Sequence, residues 1–141
     1  MPAPINFLAV IVATIASIIV GFVWYGPLFG KPWMKLMGMS LDSMSKEKQK
    51  GMQKTYVIMT FTTLIMAYVM AHATEFGMSY TKIYGVMGGL MAGFWNWLGF
   101  VMPIQIGEQL WGGKSWKLFL INGGHTLSML LLMGVILAVW R

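Results

Sequence analysis

The chain contains no cysteine, which excludes disulfides, thiolate metal sites and cysteine nucleophiles and leaves the redox compartment open. Charge is scarce as well: charged side chains make up 10% of the residues, against about a quarter in ordinary soluble domains. The acids are only Asp42, Glu47, Glu75 and Glu108, and all fall at or beyond the edges of the apolar runs. Paired carboxylates inside those runs, a Gly-x-Ser-x-Gly elbow and a phosphate loop are all missing, so the expectation is that the protein is not an enzyme.

What the chain does have is four stretches without a charged side chain: Ile5–Tyr25, Thr55–Thr74, Ile83–Gly107 and Leu118–Trp140. Each holds 20 to 25 residues, and together they make up 89 of 141. The hydrocarbon core of a bilayer is crossed by a helix of about 20 residues. A soluble domain of this size has no interior large enough for so much apolar surface. The expected fold class is therefore all-α: a single polytopic membrane domain, 1–141, built as a four-transmembrane-helix bundle. The N-terminus, Met-Pro-Ala-Pro-Ile-Asn, lacks the positive region of a signal peptide and the first run is too long for its apolar core, so the first run is expected to stay as a span.

The net charge of +6 is explained by the membrane rather than by nucleic acid. Lys31, Lys35, Lys46, Lys48, Lys50 and Lys54 lie between the first two spans, and Lys114 and Lys117 between the last two. Only Lys82 and Arg141 fall on the other side. The positive-inside rule then places the basic loop 26–54 in the cytoplasm and both termini outside, in a cell membrane that is the inner membrane if the source is bacterial. The expected partners are the bilayer itself and anionic lipid headgroups at the basic loop, at about 1 kcal/mol per well-placed lysine.

Trp24-Tyr25-Gly26-Pro27 ends the first span, with a helix-breaking Gly-Pro and an aromatic pair suited to the headgroup level. The segment from Leu28 to Gly38 is apolar with Lys31 and Lys35 interspersed, as an interfacial segment would be. Asp42 or Ser43 is placed to cap a short helix leading into span two. Turns are expected at Glu75–Lys82 and at Glu108–Lys117, the latter carrying Gly112-Gly113 and flanked by Trp111 and Trp116. Small residues recur every four positions in span one (Ala9, Ala13, Ser17, Gly21) and in span three (Gly85, Gly89, Gly93). Such stripes let helix backbones approach closely in lipid, either inside one protomer or across a homo-oligomer face. A faint echo links Gly21-Phe22-Val23 and Gly30-Lys31-Pro32-Trp33 with Gly99-Phe100-Val101 and Gly113-Lys114-Ser115-Trp116, as a parallel duplication would.

Three motifs resemble the uncharacterised membrane proteins grouped as domain of unknown function 1761. The first and most specific runs from Gly21 to Met34 and includes Trp24, Tyr25, Gly26, Pro27, Lys31 and Trp33. The second is Ala67-Tyr68-Val69-Met70-Ala71-His72. The third begins at Trp97-Leu98-Gly99-Phe100 and passes through Glu108 and Lys114 to Asn122, His125, Gly134 and Trp140. The resemblance implies a four-span architecture and no particular reaction.

Polar groups inside a span are the default place to look for function. Asn96 lies near the middle of span three, and Asn122, His125 and Thr126 are spaced to share a face of span four. Gln105 and Glu108 follow Pro103 and are placed to face Asn122 and His125 across the short connection. One reading is a proton- or substrate-handling site with His125 and Glu108 as partners; the other is interhelical hydrogen bonding, worth on average about 0.6 kcal/mol per bond in membranes, with Glu108 equally well read as a solvated interface residue paired with Lys114 or Lys117. His72 lies near the outer end of span two, roughly 25 Å above the inner ends of the spans, against about 10 Å for His125. That difference excludes bis-histidine haem ligation, and two separated histidines cannot close a zinc shell. Met34, Met37, Met39 and Met44 have thioethers that suit Cu(I), but methionine is scattered through every span, so no metal and no cofactor is expected. The leading expectation is a small homo-oligomeric channel or transporter. The alternative is a non-transporting scaffold or accessory subunit, and a lipid- or quinone-acting enzyme is the third.

Overall fold

The computed structural model describes residues 5–40 and 46–141. The proposed caps Asp42 and Ser43 lie outside the described residues. The elements are α1 (Phe7–Val23), a π-helical turn (Trp24–Leu28), α2 (Gly30–Leu36), α3 (Lys46–Thr81), α4 (Gly85–Asn96), a second π-helical turn (Trp97–Val101), α5 (Met102–Gly112) and α6 (Trp116–Val139). Four helical stretches are long and apolar enough to cross a membrane: Phe7–Leu28, Gly51–Thr81, Gly85–Gly112 and Trp116–Val139. With no strand among the described residues, the chain is an all-α, multi-pass integral membrane protein.

Helix α1 shows why lipid is the solvent. Ala9, Ala13 and Ser17 are buried, whereas Phe7, Ile11, Ile15, Ile19 and Phe22 on the other side are exposed. Small residues point inward and large apolar ones outward, the reverse of a helix in water and the arrangement that gives close packing in a bilayer. The hydroxyls of Thr14 and Ser17 bond to the carbonyls of Val10 and Ala13 at 2.8 and 2.7 Å, which satisfies them inside their own helix. Asn6 starts the helix, its side chain accepting from the amides of Leu8 and Ala9.

The connections are shorter than the sequence alone indicates. Helix α3 does not stop near Glu75 but continues to Thr81, so the turn into α4 is only Lys82–Tyr84, with positive φ at Lys82 (61°) and at Gly85 (66°). Helix α5 likewise continues past Glu108 to Gly112, and Gly113 ends it in the left-handed region at φ 61°. Helix α3 has 36 residues, about 54 Å by helical rise, and so exceeds the roughly 30 Å hydrocarbon core. Its lysine-bearing start projects beyond the apolar span as one continuous helix instead of a separate short one.

Helix α6 is the centre of the bundle and packs against α1, α3, α4 and α5. Its tightest partner is α4. Gly89 of α4 meets the backbone of Gly134, and Gly93 meets that of Leu130, where a Cβ on Gly93 would lie 2.5 Å from the carbonyl oxygen. Gly85 opens α4 at positive φ and a Cβ there would have no close neighbour; Gly88, against Met78, takes its place in the packing. Part of each small-residue stripe is therefore occupied within one chain: Gly89 and Gly93 by α6, and Ala9 and Ala13 by the core cluster they form with Ala67, Met70, Ala71, Met133 and Leu137.

At the far end of the bundle Arg141 makes two hydrogen bonds to Glu75, at 3.0 and 2.9 Å, and lies 5.2 Å from the centre of the Tyr84 ring. This ties the C-terminus to α3 and to the turn before α4.

Candidate functional site

Two π-helical turns organise the polar residues. Trp24 opens one and Trp97 the other, and each is followed by an apolar residue and then glycine: Trp24-Tyr25-Gly26 and Trp97-Leu98-Gly99. In each turn the amide five residues on, Phe29 or Met102, donates to the tryptophan carbonyl. Proline explains the widening. Pro27 lies inside the first turn and Pro103 two residues beyond the second, and each lacks an N–H while its ring crowds the carbonyl four residues back. Such π-bulges are frequent at functional sites. The structural echo therefore runs in a different register from the Gly-Phe-Val echo of the sequence, with Trp24 corresponding to Trp97.

Both tryptophans reach the same stretch of α6. Trp24 Nε1 donates to the Ile121 carbonyl at 2.9 Å, and Trp97 Nε1 donates to Thr126 Oγ1 at 3.0 Å. Gly123 and Gly124 make room for them: a Cβ on Gly124 would come within 2.9 Å of the Trp24 ring, and one on Gly123 within 3.8 Å of Trp97. Beside Trp24, the Tyr25 hydroxyl donates to Asn122 Oδ1 at 2.9 Å. On the opposite side Thr126 Oγ1 lies 3.4 Å from Gln105 Oε1 and donates to the Gly123 carbonyl at 3.1 Å.

The expected polar face thus splits in two. Asn122 and His125 look toward α1 and the first π-turn, whereas Thr126 looks toward Trp97 and Gln105. Glu108 joins neither set. It is exposed, and no described residue pairs with it. The Asn96 amide donates to the Ala92 carbonyl of its own helix at 2.8 Å. His72 packs edge-on against Tyr68, which stacks on Phe7. Trp33 meets Tyr25 edge-on at 5.4 Å, joining α2 to the same group, while Lys31 is exposed. Among the described residues no three possible metal ligands converge.

Among the described residues two buried polar side-chain atoms lack a hydrogen-bond partner, Thr74 Oγ1 on α3 and His125 Nε2 at this site. The His125 ring lies 4.8 Å from that of Tyr25 and 6.2 Å from that of Trp24. Nε2 is buried and no described residue hydrogen-bonds to it. Gly21 stands opposite, where a Cβ would meet Nε2 at 3.4 Å. The imidazole lines a cleft of about 350 Å³ between α1 and α3, floored by α6. Its walls are Ser17, Ile18, Gly21, Phe22, Tyr25 and Gly26 from the first span, Tyr56, Met59 and Thr63 from α3, and Met129 beside His125. Toward the other end of α1 and α3 the alanines of the core cluster close the interface. Toward the basic end Phe22 and Tyr56 meet with ring centres 5.7 Å apart. Phe22, Tyr56 and Met59 are about half exposed, so the cleft opens sideways to the lipid-facing surface.

A family model described as Protein of unknown function (DUF1761) matches residues 8–138. The chain belongs to that family. The family match spans both π-turns, the cleft and the α4–α6 glycine contact. No curated protein and no solved structure matches the chain.

The sequence alone singles out Trp24, Tyr25 and His125 but does not join them. It reads the aromatic pair as headgroup anchors, whereas both side chains turn inward onto α6. The repeated Trp-x-Gly, followed by Pro27 in one case and Pro103 in the other, is the signal that marks the two π-turns. The cleft residues Tyr56, Met59 and Thr63 carry no such signal, because in a lipid-facing helix they are ordinary apolar and back-bonded positions.

Proposed function

We propose that this protein is a membrane-embedded binding module that takes an uncharged lipophilic molecule from the bilayer into the cleft between α1 and α3. The observation that carries this reading is the lateral cleft with His125 in its wall and no protein partner on the imidazole. A buried polar atom without a partner calls for an explanation, and a ligand is one of the few available. The volume falls within the range of small-molecule sites, and the walls are mostly apolar with few polar groups, as in such sites generally. The Trp24 and Tyr25 bonds hold the first span against α6 beside the cleft, and the Trp97–Thr126 bond holds the other side of α6, which favours the scaffold reading for those residues.

The second reading is a small homo-oligomeric channel or transporter. It keeps the support of Asn122 and His125 inside the last span. It loses that of Ala9, Ala13, Gly89 and Gly93, which pack within the protomer, and of Asn96, whose amide bonds to its own helix. The basic stretch around Lys31, Lys35 and Lys54 fits docking to anionic headgroups on the cytoplasmic side.

The test is titration of an uncharged, environment-sensitive fluorescent lipophile into the protein in nanodiscs. Saturable binding is expected, and Met59→Trp, which fills the cleft from its exposed rim, should reduce it. Linear partitioning that is identical with wild type, Met59→Trp and protein-free nanodiscs would overturn the proposal.

A further inference from the structure

We propose that the occupant of this cleft is a membrane quinone or quinol, bound with an oxygen of its ring toward His125 and Tyr25; this rests on the binding reading above. Three properties of the walls select that chemistry. First, among the described residues no Lys, Arg, Asp or Glu lines the cleft, so a ligand group seated beside His125 is neutral: a charged head there would have no lining residue to pair it. Second, the walls are aromatic and thioether. Phe22, Tyr25 and Tyr56 present ring surfaces, and Met59 and Met129 present sulfur, and both kinds of group favour a flat π-system over a saturated chain.

Third, the hydrogen-bonding groups match both redox forms of such a ring. Tyr25 spends its proton on Asn122 and keeps its lone pairs, so it accepts from a quinol hydroxyl. The half-buried imidazole of His125 lines the cleft with no protein partner, and its ring nitrogen other than the enclosed Nε2 offers a donor to a quinone carbonyl or an acceptor to a quinol. Nε2 is itself enclosed, with Gly21 opposite it, so the ligand meets the open edge of the half-buried ring on the cleft side. The cleft holds one substituted ring and the start of its tail, and the half-exposed Phe22, Tyr56 and Met59 mark where the tail passes into lipid. No electron transfer is included; the proposal concerns binding.

The experiment is photo-crosslinking of the full chain in nanodiscs. One probe is a benzoquinone with a short alkyl tail bearing a photoreactive group. The other is a primary alcohol with the same tail and photoreactive group but no ring. Labelled peptides are identified by mass spectrometry, and apparent affinity is read by competition with unlabelled quinone. The expected result is saturable labelling of the α1 and α3 cleft segments by the quinone probe, and little by the alcohol. His125→Phe, which keeps a ring against Tyr25 but loses the nitrogen, should weaken the quinone about tenfold, the loss of one hydrogen bond. Met59→Trp should block labelling while leaving the protein folded, because residue 59 is 57% exposed.

Equal labelling by quinone and alcohol, both blocked by Met59→Trp and neither changed by His125→Phe, would overturn the quinone assignment and leave the binding reading standing. Labelling of the cleft by neither probe, or labelling that Met59→Trp does not alter, would overturn both.

Discussion

Replacing Gly89 with alanine should force α4 and α6 apart. The added methyl would collide with the backbone of Gly134, whose carbonyl carbon would lie 2.7 Å away. Ordinary carbon contacts are about 3.5–4.0 Å, so the two helices must separate locally by about 1 Å. Backbone cannot swing aside as a flexible side chain can. The strain falls on the most extensive helix pair of the bundle and is expected at the upper end of the cost of overpacking, about 3 kcal/mol. Gly77→Ala is the internal control. That glycine is also helical, but a Cβ there would meet nothing within 4 Å, so the change should be neutral or stabilising by a few tenths of a kcal/mol.

Reversible unfolding in mixed micelles, followed by helical circular dichroism, measures both. The Gly89→Ala and Gly134→Ala pair adds a further check. Each methyl alone pushes the same two helices apart, so the double variant should be less destabilised than the sum of the singles. If Gly89→Ala were as stable as Gly77→Ala, close backbone contact between α4 and α6 would be wrong. Strict additivity of Gly89→Ala and Gly134→Ala would show that the two glycines do not share one interface.

Four other outcomes are expected. Tyr25→Phe removes one interhelical hydrogen bond to Asn122 and should lower stability by about 0.6 kcal/mol in the same assay, with 1.7 as the upper bound for such bonds in membranes. Arg141→Gln breaks the ion pair with Glu75, which is partly exposed, so the loss should stay below about 1 kcal/mol and shrink further in high salt. Pro27→Ala restores an amide to the first π-turn and lets it relax toward α-helical geometry, so quinone affinity should fall through misplacement of Tyr25, with little change in overall helicity. Because the chain has no cysteine, single variants Lys114→Cys and Thr81→Cys should react with a membrane-impermeant thiol reagent from opposite sides, Lys114→Cys from the cytoplasmic side.

Of the candidate site, the sequence made legible the kinds of residue and their place along the last helix. Asn122, His125 and Thr126 lie in about the first three turns of α6. Which helix each of them meets was not legible. Residues 125 and 126 differ by about 100° around a helix, which sends His125 toward Tyr25 and Thr126 toward Gln105. Spacing alone could not divide them, because the division depends on having α1 on one side and α4–α5 on the other. Glu108, the proposed partner of His125, turns outward for the same reason. The inward turn of Trp24 and Tyr25 follows α-helical spacing, three and four residues on from Gly21 of the small-residue stripe, but the pair stands at the end of the first run, where such residues read as headgroup anchors.

Composition and the length of its uncharged runs determined by themselves that this polypeptide is helical and lives in lipid. Backbone polar groups in hydrocarbon must be satisfied within each helix, so those runs admit no other local structure. Tertiary structure decided the rest: which glycines form the α4–α6 seam, which polar side chains bond across helices, and that α1 and α3 leave a cleft beside His125. Inside a bilayer both faces of a helix can be apolar, so amphipathic pattern carries little information about neighbours. The choice falls to steric fit between particular helices, and that appears only once they are packed.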